Sequence, residues 1–420
     1  MEQLLSEVYL VGAFSTVFGK RAGDSVKDLT REVFLGLLND AGLDEGCDIE
    51  SCWFGNCGMW IENQGSIRGQ VCLTPLVREG LFPERVPVIN VEGGCATASL
   101  ALNGAWKDIA AGIADFAIAL GVEKTFYPDN PTYSTRIFEG GIDQYNKDEW
   151  RDYYSAAGEI LGKAFSPGSG RSIFMDTYAM QACHHMQRYG TSQAQIAAVA
   201  AKNHCHGALN NRAQYRFEMT VDEVLADREV SWPLTRSMCA PIGDGAAGAL
   251  LVSGQRLRQL PSSVRERAVR VLATSLSGGK YRDLDEAGLS RNAAQKAYKQ
   301  AGLSPAAIDI AEVHDATAFC EIYQTEMLGL CKEGEGGLFV ESGATQIGGS
   351  LPINTSGGLV SKGHPVGATG LSMIAELTEQ LRCEAGDRQV HGAHTALAEN
   401  GGGVIGFDEA ACSVVILQRM

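Results

Sequence analysis

Several things are missing from this 420-residue chain, and each absence narrows the reading. None of its twelve cysteines, from Cys47 to Cys412, forms a Cys-x-x-Cys pair, so the usual ligand spacing of a zinc ribbon is absent. No window approaches the roughly 18 uninterrupted apolar residues of a membrane span. The longest apolar runs, such as Ala247 to Val252, have strand length. No basic region precedes an apolar core at Met1-Glu2-Gln3, so no signal peptide is expected and the cysteines read as reduced thiols of a cytoplasmic protein. Basic residues are outnumbered: 35 Lys and Arg against 50 Asp and Glu, a net charge of -15. A general nucleic-acid binder would show a basic footprint, although a local basic patch for a phosphorylated ligand stays open.

What is present is a soluble globular composition, 45% hydrophobic and 20% charged, which excludes disordered and fibrous classes. The length suggests two or three domains. Glycine is abundant, with 50 residues, and clusters in short motifs that suggest tight turns and close backbone approaches.

Along the chain, strand-like and helix-like stretches alternate. Val8 to Phe14, Ile49 to Phe54, Val86 to Val91 and Ala114 to Val122 read as strands, and Ser25 to Ala41 and Ala96 to Ala111 as helices. The alternation predicts a parallel sheet with covered faces. Residues 124–236 are richer in Tyr, Asn, Gln and charge, and read as an inserted segment. Asp244 to Val252 returns to strand pattern, and Gln255 to Arg267 reads as a linker. Then the pattern restarts: Val269 to Leu276 parallels Val8 to Phe14, and Ile308 to Val313 parallels Ile49 to Phe54. Asn90-Val-Glu-Gly93-Gly94 parallels Asn354-Thr-Ser-Gly357-Gly358, each leading to a small-residue helix. Two related α/β halves are the expectation.

Four segments carry chemistry. Gly93-Gly94-Cys95-Ala96-Thr97-Ala98-Ser99 places a cysteine between a strand and a helix. The positive helix end favours thiolate there, and free backbone N–H groups can hold an oxyanion. A buried structural cysteine is the alternative. Ser361 to Gly370 brackets His364 with Gly363 and Pro365, which suits a stiffly held base for a thiol proton. A satisfied core histidine is the alternative. Val313-His314-Asp315-Ala316-Thr317 offers His314 as donor to a carbonyl oxygen, with Asp315 orienting backbone or capping the next helix. In Glu399-Asn400-Gly401-Gly402-Gly403 the triplet lets backbone amides approach an acyl group, or is a flexible turn. His184-His185, His204-Cys205-His206 and the His391 and His394 pair match no usual metal pattern, so no metal is expected. Tyr127, Tyr133, Tyr145, Tyr153 and Tyr154 either line a bulky acyl pocket or pack the inserted segment.

These motifs, in this order and spacing, resemble the thiolase superfamily over nearly the whole chain, most of all the sterol-carrier-protein-type and archaeal-type thiolases. The resemblance implies an α/β fold of duplicated αβαβα layered halves with an inserted loop domain. The boundaries read as residues 1–123 for the first half, 124–236 for the loop domain covering coenzyme A, 237–266 for the end of that half and linker, and 267–420 for the second half. It implies that Cys95 is the acylated nucleophile, that His364 activates it and that His314 helps to bind the thioester oxygen. It also implies that the N–H groups of Cys95 and Gly401 form a second oxyanion hole. Ser237, Met238, Cys239 and Ala240 match the loop along the pantetheine of coenzyme A, the co-substrate, and Arg171, Arg188, Lys202 or Arg236 could meet its phosphates.

One departure matters. The family's second cysteine, acid and base at the substrate α-carbon, is replaced by Glu399 at one known position and by Ala316 at the other. Glu399, Cys320, or a water held by His314 or Asn400 are the candidates, with Glu399 first. The resemblance implies thiolysis of a β-ketoacyl-CoA, or the reverse Claisen condensation, on an aromatic, branched or dicarboxylic acyl group such as benzoylsuccinyl-CoA. A thiolase-like retro-aldolase and a non-catalytic acyl-CoA or lipid-binding protein are the alternatives. Implied partners are a second copy of the chain, joined by sheet pairing between first halves, and a small OB-fold subunit carrying a zinc ribbon. No nucleic acid and no membrane are implied.

Overall fold

The computed structural model describes residues 6–46, 48–168 and 171–420. Cys47 and the Met1-Glu2-Gln3 start lie outside them. Nine strands share one sheet: β1 (Val8–Ser15), β2 (Ser51–Gly55), β3 (Val88–Val91), β4 (Phe116–Glu123), β5 (Gly245–Ser253), β6 (Val269–Gly278), β7 (Ile310–Glu312), β8 (Thr395–Gly402) and β9 (Ala411–Arg419). Their spatial order is β3-β2-β4-β5-β1-β6-β9-β8-β7. The sequence is therefore symmetric about the β1–β6 join: β1, β5, β4 and β2 correspond to β6, β9, β8 and β7. The expected parallel sheet is corrected to a mixed one. β2 pairs parallel with β3 and β4, and β7 with β8, while β5 and β9 run antiparallel to both of their neighbours. The cause is the return strand of each half, which closes it without a crossover helix.

The helices used below are α1 (Val26–Ala41), α2 (Arg68–Arg78), α3 (Thr97–Ala110), α4 (Thr132–Glu139), α5 (Lys147–Leu161), α6 (Ile173–Tyr189), α7 (Gln193–Ala208), α8 (Leu289–Ala301), α9 (Ala318–Met327), α10 (Gly358–Lys362) and α11 (Thr369–Arg382). α1 shows how local sequence sets an element. Ser25 accepts from the Asp28 amide, the Asp28 carboxylate accepts from the Ser25 amide, and Gly42 closes the helix at φ 66°. Leu29, Val33 and Leu37 then recur at helical spacing and are buried.

Strand alternation divides the core. In β4, Ala117 and Ala119 face α3 and α11, while Phe116, Ile118 and Leu120 face α1 and α2. In β8, Ala396 and Ala398 join the same central cluster, and Leu397 packs with α8. The layers thus read helix, sheet, helix, sheet, helix, with α3 and α11 in the middle. Each fully buried Leu in these layers contributes about 1.5–3 kcal/mol of transfer free energy. Small residues on α3, Ala98, Ala101 and Ala105, all fully buried, let the two central helices lie between the sheets.

Residues 124–236 add no strand to the nine and hold α4 to α7. The expected linker at Gln255 to Arg267 instead carries two single-turn helices, Gly254–Leu257 and Ser262–Arg265. Glu399 to Gly402, expected as a turn if not functional, is a fully buried strand end paired with β9. No helix among the described residues is long and apolar enough to cross a membrane.

Candidate active site

The site forms where the two halves touch. β3 ends at Val91, and one tight turn, Gly94 to Ala96, presents Cys95 at the start of α3. Gly94 takes φ +56°, and a Cβ there would stand 2.6 Å from the Gly403 amide nitrogen. A Cβ on Gly402 would stand 2.5 Å from the Cys95 nitrogen. Only glycine lets the Cys95 turn of the first half lie on the end of β8 in the second.

His364 Nε2 lies 3.0 Å from Cys95 Sγ. Its Nδ1 meets the Thr369 hydroxyl at 2.7 Å, and that hydroxyl donates to the Pro365 carbonyl at 3.0 Å. A hydroxyl whose single proton is so used must accept from Nδ1–H. The tautomer is thereby set, and Nε2 offers its lone pair to the thiol. Burial pushes the Cys95 thiol up to about 12. Burial, with His314 and Lys362 nearby, drives His364 well below the usual imidazole value. Both effects disfavour charge, so the resting pair is neutral thiol and neutral imidazole.

His314 follows β7, and its ring centre is 5.3 Å from that of His364. A ring nitrogen of each histidine and the Cys95 sulfur lie within 4.8 Å of one another. His314 is buried, its Nε2 has no hydrogen-bond partner among the described residues, and burial lowers its pKa to about 4. A neutral imidazole with an unclaimed nitrogen beside the sulfur can donate to a developing oxyanion. Asp315 does not cap α9. Its carboxylate accepts from the Leu359 amide at 2.6 Å and from Asn203 Nδ2 at 2.8 Å, so it orients the segment that leads to His364.

The alternation of β8 sorts the next residues. Asn400 faces α3, where its Oδ1 accepts from Ser99 Oγ at 2.8 Å and its buried Nδ2 has no partner among the described residues. Gly402 shares that face and meets Cys95. Glu399 and Gly401 point to the other face. Glu399 is fully buried, and its oxygens take the His314 amide at 3.1 Å, Ser290 Oγ at 3.1 Å and Cys412 Sγ at 3.4 Å. Burial and the nearby Glu409 push it up to about 8. The Cα hydrogen face of Gly402 thus lies against the Cys95 amide, next to Gly401, whose N–H the sequence pointed to.

Three side chains here escaped the sequence reading. Thr369 sits inside the Gly-rich motif without a local signal of its own. Glu123, fully buried at the end of β4, accepts from the amides of Cys57, Gly58 and Gly367 at 2.9–3.1 Å, tying the Cys57 turn to the His364 loop. Glu409 lies against Gly401 and is taken up below.

A cleft of about 650 Å³ opens at Cys95. Its apolar wall includes Trp60, Ile137, Phe138, Phe174, Val404 and Ile405. Tyr145 reaches its rim, while Tyr153 and Tyr154 pack with Phe407 and Tyr127 pairs with Tyr133. Just after His314 in the chain, the Ala240 amide donates to the Ala316 carbonyl at 3.0 Å and Cys239 bridges to Thr317. Met238 is fully buried, and Ser237 Oγ donates to Asp227. Of the basic residues considered for phosphates, Lys202 is withdrawn. It is buried, 2.5 Å from Glu321 and 2.7 Å from the Ile353 carbonyl. Arg171 is held by Asp176, and Arg188 is partly exposed beside Asp285. Arg236 is largely exposed.

The other histidines have structural partners. His184 meets Asp285, His185 meets Thr191 and Glu326, His206 meets the Asn354 carbonyl and the Ile347 amide, and His204 stacks with Phe217. His391 and His394 are exposed.

Comparison with known proteins bears on this geometry. Residues 8–228 match the family model "Thiolase, N-terminal domain" and residues 272–419 "Thiolase C-terminal domain-like". The chain is 35% identical to an acetyl-CoA acetyltransferase of Methanothermobacter thermautotrophicus, over 96% of this chain and 98% of that one. It is 34% identical to Homo sapiens sterol carrier protein 2, over 97% of this chain and 74% of that one. It is 29% identical to the benzoylsuccinyl-CoA thiolase subunit BbsB of Thauera aromatica, over 92% of both. Among solved structures, an Ltp2–ChsH2(DUF35) aldolase superposes with TM-score 0.76 at 25% identity, covering 99% of this chain and 98% of that one. Human mitochondrial 3-ketoacyl-CoA thiolase in complex with CoA superposes with TM-score 0.69 at 16% identity, covering 99% of each, a likeness of fold. A cysteine and a histidine brought into contact from two duplicated halves, in a chain both of whose halves match, leave one assignment: this chain belongs to the thiolase family and is an acyltransferase of the thiolase type.

Proposed function

We propose that the chain cleaves a β-ketoacyl-CoA with CoA, or runs the reverse condensation, through an acyl-Cys95 intermediate, and that the acyl chain is bulky, apolar and uncharged. The 3.0 Å contact between His364 Nε2 and Cys95 Sγ carries the covalent step. His364 takes the thiol proton as sulfur attacks the keto carbon. The keto oxyanion faces amides of the Cys95 turn and of the β8 end, and His314 meets the thioester oxygen on which the enolate charge develops. The C–C bond breaks toward the α-carbon as an enolate, which takes a proton. CoA thiol then attacks acyl-Cys95, with amides of the Cys95 turn and of the β8 end facing the oxygen. His364 moves the proton from CoA sulfur to Cys95 sulfur.

The acyl preference rests on the cleft. Its aromatic and branched wall suits an aromatic or branched chain. Its charged lining residues are Glu92 and Asp143, both acidic. A second carboxylate on the substrate would meet like charge there and no lining cation, which weighs against a dicarboxylic chain such as benzoylsuccinyl. The pantetheine is assigned to the Ser237 to Ala240 side of His314, with Arg236 as the exposed cation nearest in sequence. The retained Cys95–His364 contact weighs against retro-aldol cleavage and against a purely binding role.

Two partners fit. β3 is a sheet edge whose residues are half-buried or exposed, suited to pairing with the β3 of a second copy. The aldolase neighbour is described with a DUF35 partner, and a small subunit of that kind is assigned here too.

The test is intact-protein mass after incubation with a panel of acyl-CoA and β-ketoacyl-CoA thioesters, wild type beside Cys95→Ala. A mass gain of one acyl group, absent in the variant and largest for apolar branched or aromatic donors, is expected. No adduct with any donor, with CoA bound and a DUF35-type subunit added, overturns the reading.

A further inference from the structure

We infer that Glu409, acting through one water, is the acid and base that exchanges the substrate α-proton, replacing the thiol that other thiolases place at the site. The inference rests on the thiolase reading and adds to it the group that the sequence leaves unassigned.

Geometry carries it. Glu409 lies on the eight-residue excursion between β8 and β9, on the strand face where Glu399 and Gly401 point. A Cβ on Gly401 would stand 2.6 Å from Glu409 Cγ and 3.0 Å from its Oε1, so glycine makes the room that this carboxyl fills. Gln324 Nε2 donates to Oε1 at 2.9 Å. Among the described residues no other side chain donates to the Glu409 carboxyl. Glu399 differs, since each of its oxygens is engaged.

Beside Glu409 is a cavity of about 20 Å³, lined by Tyr178, Cys320, Tyr323 and Gln324 among others. That volume holds one water, which needs about two to four polar partners. The cavity supplies two: the Glu409 carboxyl and Gln324 Oε1, a buried atom with no hydrogen-bond partner among the described residues. Gly403 and Val404 line both this cavity and the Cys95 cleft, and Ala410, next to Glu409, lines the cleft too. Burial and the adjacent Asp408 push the Glu409 carboxyl above the usual range, a shift toward the protonated form that an acid needs.

The protons balance. Cys95 gives its proton to His364 and attacks. The C–C bond electrons move to the α-carbon, which takes a proton from the cavity water as the water takes one from Glu409. The His364 imidazolium then returns a proton to the Glu409 carboxylate through solvent. His364, neutral again, takes the proton of the CoA thiol and delivers it to Cys95 as the acyl group leaves.

The test separates two half-reactions in the full chain. Acylation of Cys95 by a simple acyl-CoA breaks no C–H or C–C bond and is read by intact mass. Exchange of acetyl-CoA α-hydrogens in deuterated water needs only the α-proton relay and is read by the mass of acetyl-CoA. Glu409→Gln is expected to lose exchange about 100-fold or more and to acylate within about threefold of wild type. Rescue of exchange by Glu409→Asp to a measurable fraction is expected. Exchange unchanged in Glu409→Gln overturns the assignment, as does loss of exchange confined to Glu399→Gln. Loss of acylation together with exchange assigns Glu409 a structural role and also overturns it. Wild type that neither acylates nor exchanges overturns the thiolase reading itself, a separate outcome.

Discussion

The Thr369 hydroxyl, 2.7 Å from His364 Nδ1, faces the opposite edge of the ring from the Cys95 sulfur. The His364 ring is therefore aimed from behind by a residue five positions along the same motif. Removing the hydroxyl frees the ring to take the other tautomer, in which Nε2 carries hydrogen and cannot accept the thiol proton. Thr369→Val should lower the acylation rate about 10- to 100-fold, the scale of one lost hydrogen bond of roughly 1–3 kcal/mol, with CoA affinity unchanged. Thr369→Ser should restore most of the rate. Single-turnover acylation followed by mass spectrometry checks both.

The neutral resting pair has a pH signature. Burial raises the Cys95 thiol to about 12 and lowers His364, so thiolate is scarce at neutral pH. Alkylation of Cys95 by iodoacetamide should rise about tenfold per pH unit from pH 7 to pH 9, with no plateau. A thiolate–imidazolium pair would instead give a flat profile over that range.

How much of this could be read in advance depends on where the information lies. Cys95 and His364 stand in Gly- and Pro-marked segments and His314 at the end of a strand-like run, and those local patterns were enough to single them out. The layers around them followed from periodic apolar residues such as those of α1. The face of Glu399 was not legible. Five consecutive small and polar residues at the end of β8 carry no period, and pairing with β9 alone decides which of Glu399 and Asn400 looks at the nucleophile. Glu409 sits on an excursion with no pattern at all, and only the Gly401 contact reveals it. Lys202 looked like a phosphate ligand because sequence shows a charge and not its partner Glu321 on α9.

Stability should report the buried groups with opposite signs. His314 has a folded pKa of about 4, below its usual 6.5, so its stabilising contribution is present above pH 6.5 and is lost as pH falls toward 4. Glu399 has a folded pKa of about 8, above its usual 4.5. Its contribution is present below pH 4.5 and is lost as pH rises through 8. Glu399→Gln cannot ionise, so its melting temperature relative to wild type should climb steadily from pH 5 to pH 8. A difference that stays constant with pH would show that Glu399 carries no such shift.

The Lys202–Glu321 pair gives a test that separates structure from ligand binding. Both side chains are buried, and Asn203 and Asn354 also donate to Glu321. Lys202→Met leaves a carboxylate without its cation, which costs about 3–5 kcal/mol. Chemical denaturation should show that loss, while the CoA dissociation constant of the folded variant should stay within about twofold. A large loss of CoA affinity with normal stability would return Lys202 to the phosphates.

The contact between the two halves at Gly402 is a tight constraint on the Cys95 turn, and it can be probed by a single methyl group. A Cβ there would stand 2.5 Å from the Cys95 nitrogen and 2.2 Å from that of Ala96. Both are backbone atoms and cannot rotate away. The turn must move by the better part of an ångström, and displacement on that scale costs about 10²-fold in rate. Gly402→Ala should therefore acylate about 100-fold more slowly. Gly65→Ala, where a Cβ meets nothing within 4 Å, should acylate like wild type. Equal acylation by the two variants would mean that the β8 end yields to the nucleophile turn, and that Cys95 is positioned by α3 alone.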